Sequence, residues 1–299
     1  MESNELRIFQ AVAQAGSITK AAQNLGYVQS NITARIQQLE EELKTQLFYR
    51  QRGMMLTPAG EKLLSYAEPI LHLFEEAHKA MNDSADPCGP LTIGANYTVS
   101  SLQLPKILAQ YHQRYPKVDL SLITGNTHEL IPKILHFQLD CAFVKSPSFE
   151  DENISQELVA EENLVLVSSP KCQDIQEVCA KPFLMNTTGC PHRTQLESWI
   201  KSKGVCHIRV MEFNTLDSII EGVISDLGVS FVPQSATQDY EDRGLLRSFQ
   251  IPPEYSLVKT FLIRHKDTLM TSALSKFIEM IQTATACHAV AMQQDKKPH

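Results

Sequence analysis

The sequence predicts two kinds of structure in one chain: a helical head with two short strands over about the first 60 residues, and an α/β body from about residue 90 onward. Three observations predict this. Apolar residues recur at helical spacing through residues 5–43. A second apolar set, at residues 63–81, advances in alternating steps of four and three. From residue 91 to about 284, short strand-like runs alternate with helical patterns.

The first helix covers residues 5–15 and places Leu6, Phe9, Val12 and Ala13 on one face. Gly16 ends it, and Ser17 is a good N-cap for a second helix from about Ile18 to Leu25. The small pair Ala21 and Ala22 lets another helix cross closely, and Asn24-Leu25-Gly26 supplies a turn. A third helix runs from about Val28 to Leu43. Its apolar positions Val28, Ile32, Ile36, Leu39 and Leu43 are spaced 4, 4, 3 and 4, which predicts one buried stripe. The other face offers Gln29, Ser30, Asn31, Thr33, Ala34 and Arg35, side chains that reach base edges and phosphates. Taken alone, that face is equally an ordinary solvated one.

Context favours nucleic acid. Two short helices joined by a tight glycine-containing turn form a helix-turn-helix. Residues 47–50 and 54–57 read as two short strands around a turn carrying Arg50 and Arg52, a wing able to hold phosphate or enter a minor groove. Residues 1–58 are therefore expected to form a winged helix-turn-helix that contacts double-stranded DNA. Ser17 and Thr19, at the start of the second helix, join the expected contacts.

Thr57-Pro58 opens a long helix, with Thr as N-cap and Pro at the first helical position. Leu63, Ala67, Ile70, Phe74, Ala77 and Met81 form a heptad seam, so this helix is expected to pair with a copy of itself. Pro69 removes one helical hydrogen bond and predicts a bend. Asp86-Pro87-Cys88-Gly89-Pro90 closes the segment 59–90 as a hinge.

In the body, residues 91–95, 118–125, 139–145, 164–170, 183–186, 207–213, 229–233 and 257–264 read as strands, with helices between most of them. Such alternation predicts a mostly parallel sheet, and residues 91–284 are enough for two α/β subdomains. Residues 285–299 read as a frayed tail. Ligands of open α/β sheets sit outside the carboxyl ends of strands. The polar residues at those exits are Tyr97, Thr98, Ser100 and Ser101; Asn126 and Thr127; Thr188, Gly189 and Cys190; and Asn214 and Thr215. Lys145 and Arg193 add positive charge, and with free amides at helix N-termini they favour a small polar or anionic effector. Each Ser, Thr or Asn taken singly is also a plain helix cap.

Composition narrows the classes. The net charge of −7 has the wrong sign for a protein that coats nucleic acid through bulk charge, so DNA binding must use a local surface. Residues 1–62 carry seven Lys or Arg against six Asp or Glu, while the rest carries 20 against 28. A secretion signal and an 18-residue apolar run are both lacking, and a cytoplasmic protein is expected. The seven cysteines, at 88, 141, 172, 179, 190, 206 and 287, lack C-x-x-C spacing, and neither disulfides nor a metal or cofactor site is expected. Gly-rich phosphate loops, G-x-S-x-G and H-E-x-x-H are absent, which argues against an enzyme.

The N-terminus resembles the LysR-type transcriptional regulators. The residues that carry this are Phe9-x-x-Val12-Ala13-x-x-Gly16-Ser17-Ile18-x-x-Ala21-Ala22-x-x-Leu25, then Gln29-Ser30-Asn31-Ile32-Thr33-x-x-Ile36-x-x-Leu39-Glu40, then Leu47-Phe48-x-Arg50 and Leu56-Thr57-Pro58-Ala59-Gly60. A shorter echo is Leu227-Gly228-Val229-Ser230-Phe231-Val232-Pro233, preceded by Asp226 where a small residue is usual. The resemblance implies a two-lobed, periplasmic-binding-protein-like effector domain behind the head. Lobe I would hold about 91–161 and 265–284, and lobe II about 162–264. It implies dimers through the linker helix, tetramers as dimers of dimers, and control of transcription by an effector held between the lobes. RNA polymerase is then a candidate partner. Gly189-Cys190-Pro191-His192-Arg193 also resembles a Gly-Cys-x-x-Arg segment of some members, which leaves a thiol-based redox response at Cys190 as the alternative. The next cysteine in order, Cys206, is sixteen residues away.

Overall fold

The computed structural model describes residues 1–299 apart from 51–52, 97–98, 100–103, 146–150, 187–190, 203–207, 214 and 295–299. Its contacts divide into two units, Met1–Asp83 and Ser84–His299.

The N-terminal unit starts with helices α1 (Ser3–Ala15), α2 (Ile18–Leu25) and α3 (Gln29–Leu43). Gly16 and Gly26 close the first two in the left-handed conformation, at φ 59° and 69°, where an L side chain would be strained. Strands β1 (Phe48–Tyr49) and β2 (Met55–Leu56) then pair antiparallel as the wing, and α4 (Pro58–Asn82) follows. One core joins these elements: Phe9 and Val12 of α1, Ala21 and Ala22 of α2, Ile32, Ile36 and Leu39 of α3, Phe48 of the wing, and Ala67 and Leu71 of α4. The Phe9 and Phe48 rings lie 5.3 Å apart and seat the wing on α1.

Two expectations about this unit need correction. Val28 and Leu43, the ends of the expected stripe in α3, are exposed; only Ile32, Ile36 and Leu39 are buried. The expected seam of α4 also divides. Ala67 is fully buried in the unit's own core with Leu63 and Ile70 packed on it, whereas Phe74, Ala77 and Met81 are exposed. The first half of the seam is thus an intrachain contact. The α4 helix runs through Pro69 without interruption.

The C-terminal unit is built on two long strands. Its elements are β3 (Gly89–Ala95), α5 (Leu104–Arg114), β4 (Val118–Thr124), α6 (Thr127–Leu135), β5 (Cys141–Lys145), β6 (Ile154–Ser168), α7 (Ile175–Ala180), β7 (Phe183–Asn186), α8 (Pro191–Ser202), β8 (Val210–Phe213), α9 (Leu216–Ile224), β9 (Ser230–Pro233), α10 (Gln238–Asp242), β10 (Arg247–Phe249), α11 (Pro253–Ser256), β11 (Leu257–His265) and α12 (Ser272–Gln294). Among the described residues the main sheet has the order β10-β6-β11-β5-β3-β4, with β9 also on β6. It is mixed. Pairs β3–β4 and β3–β5 are parallel, but β11 runs antiparallel to β5 and β6, and β6 antiparallel to β9 and β10. The mostly parallel sheet expected from the alternation is therefore corrected: β6 carries the chain out of the first sheet and β11 brings it back beside β6, so the two long strands run antiparallel.

β6 serves two sheets in succession. It pairs with β11 from Ile154 to Asn163, then with β9 from Leu164 to Val167. Around the first sheet, Leu91, Ile93 and Phe143 face α5 and α12 through Tyr111 and Phe277, while Ala142, Val144 and Ile263 face α6 through Leu130 and Ile134. Around the second, Leu164 and Leu166 pack with Trp199 of α8, and Val165 and Val167 with Ile219, Ile220 and Val223 of α9. Strand period two thus feeds helices on both faces. The last helix reaches Gln294, ten residues into the expected tail, through the alanine-rich run Thr283–Ala291.

Asp226 has a structural reason. It takes the left-handed conformation at φ 62°, which Asp tolerates, and its carboxylate accepts bonds from Lys181, from Ser169 Oγ at 2.6 Å and from Lys171 Nζ at 3.4 Å. Lys181 first, then Ser169, hold its carboxyl well below the usual carboxylate range. The loop before β9 is thereby tied to the end of β6.

Candidate nucleic-acid interface and effector site

Helix α3 presents Gln29, Ser30 and Asn31 exposed on its first turn, with Thr33 and Arg35 half-buried behind them. Thr33 Oγ1 donates to the Gln29 carbonyl at 3.0 Å, so its hydroxyl keeps lone pairs for an outside donor. Ser17 is half-buried and caps α2, accepting from the Lys20 amide at 3.5 Å; Thr19 beside it is exposed. No Asp or Glu occurs between Glu5 and Glu40, a stretch containing Arg7, Lys20 and Arg35. Helix α2 and residues 29–39 of α3 thus carry no acidic side chain that would repel a phosphate backbone; the acidic run Glu40-Glu41-Glu42 lies at the far end of α3.

Arg50 is held differently from expectation. Its Nη2 donates to Glu40 Oε2 at 2.6 Å, and Glu40 Oε1 accepts the Leu47 and Phe48 amides at 2.8 and 3.3 Å. Glu40 therefore fastens the wing to the end of α3, and Arg50, still half exposed, completes the clasp. Arg52 lies outside the described residues.

In the C-terminal unit a second group of polar residues converges where β3, β4 and β5 end. Asn96, directly after β3, is buried and donates from Nδ2 to the Gly125 carbonyl at 3.1 Å. Its Oδ1 accepts the Lys145 amide at 2.7 Å and lies 3.3 Å from Thr127 Oγ1, which is also 3.1 Å from the Lys145 carbonyl. One amide side chain thus ties three strand exits together. The Lys145 ammonium is buried and paired with Glu162, and Ser235 Oγ donates to the other Glu162 oxygen at 3.1 Å. Glu162 stands where β6 changes partners, so the ion pair marks the junction of the two sheets.

The remaining expected effector residues divide. Asn126 N-caps α6 in a capping box with Glu129, and Thr215 N-caps α9, accepting the Ser218 amide at 3.3 Å; both make ordinary caps. Arg193 donates to Glu197 at 3.0 Å and to Glu212 at 2.7 Å, and Glu212 first, then Glu197, raise its pKa further. Its charge is therefore already matched by two carboxylates. Tyr97, Thr98, Ser100, Ser101, Thr188, Gly189, Cys190 and Asn214 lie outside the described residues. Asn96 and Glu162 were not among the residues read from the sequence. Asn96 is legible as the polar residue next to the first strand; Glu162 lies in the polar first part of β6, residues 154–163, ahead of the apolar run that marks the strand in the sequence. Among the described residues no group of three or more His, Cys, Asp or Glu is placed to hold a metal, and no helix is long and apolar enough to cross a membrane.

A helix-turn-helix with a wing and a two-sheet α/β unit point to one family, and comparison decides it. Residues 3–61 match the bacterial regulatory helix-turn-helix proteins of the lysR family, and residues 84–286 match the LysR substrate binding domain. The chain belongs to the LysR family. As a LysR-type chain, it is a DNA-binding transcriptional regulator with a substrate-binding domain. It is 46% identical to YusT of Bacillus subtilis (strain 168), an uncharacterized HTH-type transcriptional regulator, over 93% of this chain and 95% of that protein. It is 45% identical to the regulator GltR of the same organism over 91% of this chain and 93% of that protein. Its fold is that of other LysR regulators. A full-length OxyR variant from Pseudomonas aeruginosa matches with TM-score 0.71 at 21% identity, covering 95% of this chain and 94% of that one. CbnR, solved in complex with its target DNA, matches with TM-score 0.64 at 23% identity, covering 95% and 99%.

Proposed function

We propose that this LysR-type chain reads its operator with Gln29, Ser30, Asn31, Thr33 and Arg35 in a major groove, with Ser17, Thr19, Arg50 and Arg52 on the backbone or minor groove. The observation that carries this is the exposed polar first turn of α3 within an acid-free stretch. Loss of a base-reading side chain costs about 1–3 kcal/mol and relaxes specificity, whereas loss of a phosphate contact weakens all sequences alike. Gln29→Ala and Thr33→Ala should each lower affinity for a selected site more than for random duplex, measured by gel shift at fixed salt. Unchanged affinity and specificity in both would remove α3 from the groove. The protein acts where the chromosome is, in the cytoplasm, activates or represses transcription there, with RNA polymerase as a further partner, and carries no catalytic activity.

The substrate-binding domain takes one small polar effector at the exits of β3, β4 and β5. Asn96, Thr127 and Lys145 hold it, and Tyr97, Thr98, Ser100, Ser101, Thr188, Gly189, Cys190, Arg193, Asn214 and Thr215 are the further candidates. The convergence of three strand ends on Asn96 supports this placement. A ligand carboxylate gains Lys145 only in competition with Glu162. A ligand shifts the equilibrium between domain states only by its difference in affinity for them. In a thermal-shift screen of carboxylates, amines and amino acids, the ligand that stabilises the wild type should stabilise Thr127→Val far less, with ligand-free DNA binding unchanged. An equal shift in both proteins would move the effector elsewhere.

Self-association runs through the exposed side of α4, with tetramers as dimers of dimers. Leu73, Phe74 and Met81 are 62%, 48% and 85% exposed there, more apolar surface than a solvated helix needs. Because Phe74 is exposed, Phe74→Glu should leave each chain folded and sediment as a smaller species. An unchanged oligomer would put the interface in the substrate-binding domain.

A further inference from the structure

We infer that Val28 reads a base: its isopropyl group packs on the 5-methyl of a thymine, so that the operator carries a T·A pair at that position. The inference rests on α3 lying in the major groove. Helices α1, α2 and α4 open on Glu2, Ser17 and Thr57, whose side chains can accept an amide hydrogen, whereas α3 opens on Val28, which has no such group. Valine is among the poor N-cap residues, so the choice weakens the helix start. Packing does not repay this. Val28 is 68% exposed and takes no part in the core of the N-terminal unit, although it begins the apolar stripe that buries Ile32, Ile36 and Leu39. The pairing that often fixes a helix start joins the residue before the cap to the fourth helical residue, here Tyr27 and Ile32, and leaves the cap residue out.

Location supplies the occupant. Val28 precedes the exposed Gln29, Ser30 and Asn31 on the leading turn of α3. A helix that enters a major groove with its N-terminal residues foremost presents its first side chains to base edges. In that groove the thymine methyl is the apolar group, and contact with a small aliphatic side chain distinguishes T·A from the other pairs. The position therefore has a hydrophobe where the fold gains nothing from one and a T·A pair does.

The test uses duplexes enriched from a random library by the full-length wild-type protein. Each thymine of the enriched site is replaced in turn by deoxyuridine, which removes the methyl group alone. One thymine per half-site should lose about fourfold in affinity for the wild type, the worth of one buried methyl. Val28→Ser should bind the thymine and deoxyuridine duplexes equally. Serine is a favoured N-cap, so this variant keeps the helix and its failure to fold is not expected. Val28→Ser with the wild-type ratio between the two duplexes overturns the inference, as does a site at which no single methyl matters. A changed sedimentation coefficient in Val28→Ser with that ratio intact assigns Val28 to a protein contact instead. Failure of the wild type to enrich any site defeats the assignment of α3 itself, a separate result that takes this inference with it.

Discussion

Gly60→Ala should strongly destabilise the N-terminal unit and weaken DNA binding while leaving the substrate-binding domain intact. A Cβ at Gly60 would stand 2.2 Å from the Leu47 carbonyl oxygen, 2.9 Å from Leu56 Cδ2 and 3.2 Å from the Leu47 carbonyl carbon. The leucine side chain can turn aside; the carbonyl cannot. Leu47 O accepts the Thr57 amide at 2.9 Å, Leu47 N donates to Glu40 at 2.8 Å, and Thr57 Oγ1 donates to the Gln46 carbonyl at 2.7 Å while capping Gly60 N at 3.1 Å. Moving Leu47 therefore breaks the clasp that joins α3, the wing and α4. Overpacking a core costs about 1–3 kcal/mol and occasionally more, and a contact with pinned backbone belongs at or above the upper end. That is a large share of the roughly 5–15 kcal/mol that holds a domain folded. Trp199, the single tryptophan, is buried in the other unit. In a urea titration, far-UV circular dichroism should show an early transition while Trp199 fluorescence keeps the wild-type midpoint. Gly26→Ala is the comparison. Nothing lies within 4 Å of its added Cβ, so only the left-handed φ of 69° opposes it, at about 1–2 kcal/mol. Gly60→Ala with a wild-type profile and normal DNA affinity would mean that the carbonyl yields after all.

Asn96→Ala should be the most damaging polar truncation at the strand exits. The substitution removes the acceptor of the Lys145 amide and the donor to the Gly125 carbonyl, both at strand ends, and the Thr127 hydroxyl loses one of its two neighbouring oxygens. Each buried backbone group left without a partner costs about 1–3 kcal/mol, so the pair gives about 2–6 kcal/mol unless water enters. The urea midpoint read from Trp199 fluorescence should fall, and any ligand-induced thermal shift should vanish with it. A midpoint equal to the wild type's would show that water replaces the amide and that Asn96 is no keystone.

Local chemistry made the head legible. Gly16, Ser17 and Gly26 fix where α2 begins and ends, and the observed Ile18–Leu25 is the span their capping chemistry predicts. The wing followed from its turn, and the long helix from Thr57-Pro58. Periodicity was weaker evidence of partners. A spacing of three and four marks an apolar face without saying what covers it, so Leu63, Ala67 and Ile70 pack within their own chain, while Phe74 and Met81 carry the same pattern into solvent. Val28 and Leu43 show the same limit at helix ends. Charge has it too: Arg193 and Arg50 were legible as cations, but not that Glu212, Glu197 and Glu40, distant or one turn away, would already hold them.

The sequence by itself determined the two-part organisation, the helix-turn-helix with its wing, the family and most strand positions, because these depend on neighbours within a few residues. Only the tertiary structure decided that residues 154–168 form one strand serving two sheets, since their polar first half pairs with β11, about a hundred residues away in the chain. It also decided that Asn96 gathers three strand ends and that Glu162 meets Lys145 at the junction. Hydrogen bonds and ion pairs between segments brought together by folding leave no periodicity to read, because their partners are set by the packing of the sheet rather than by spacing along the chain.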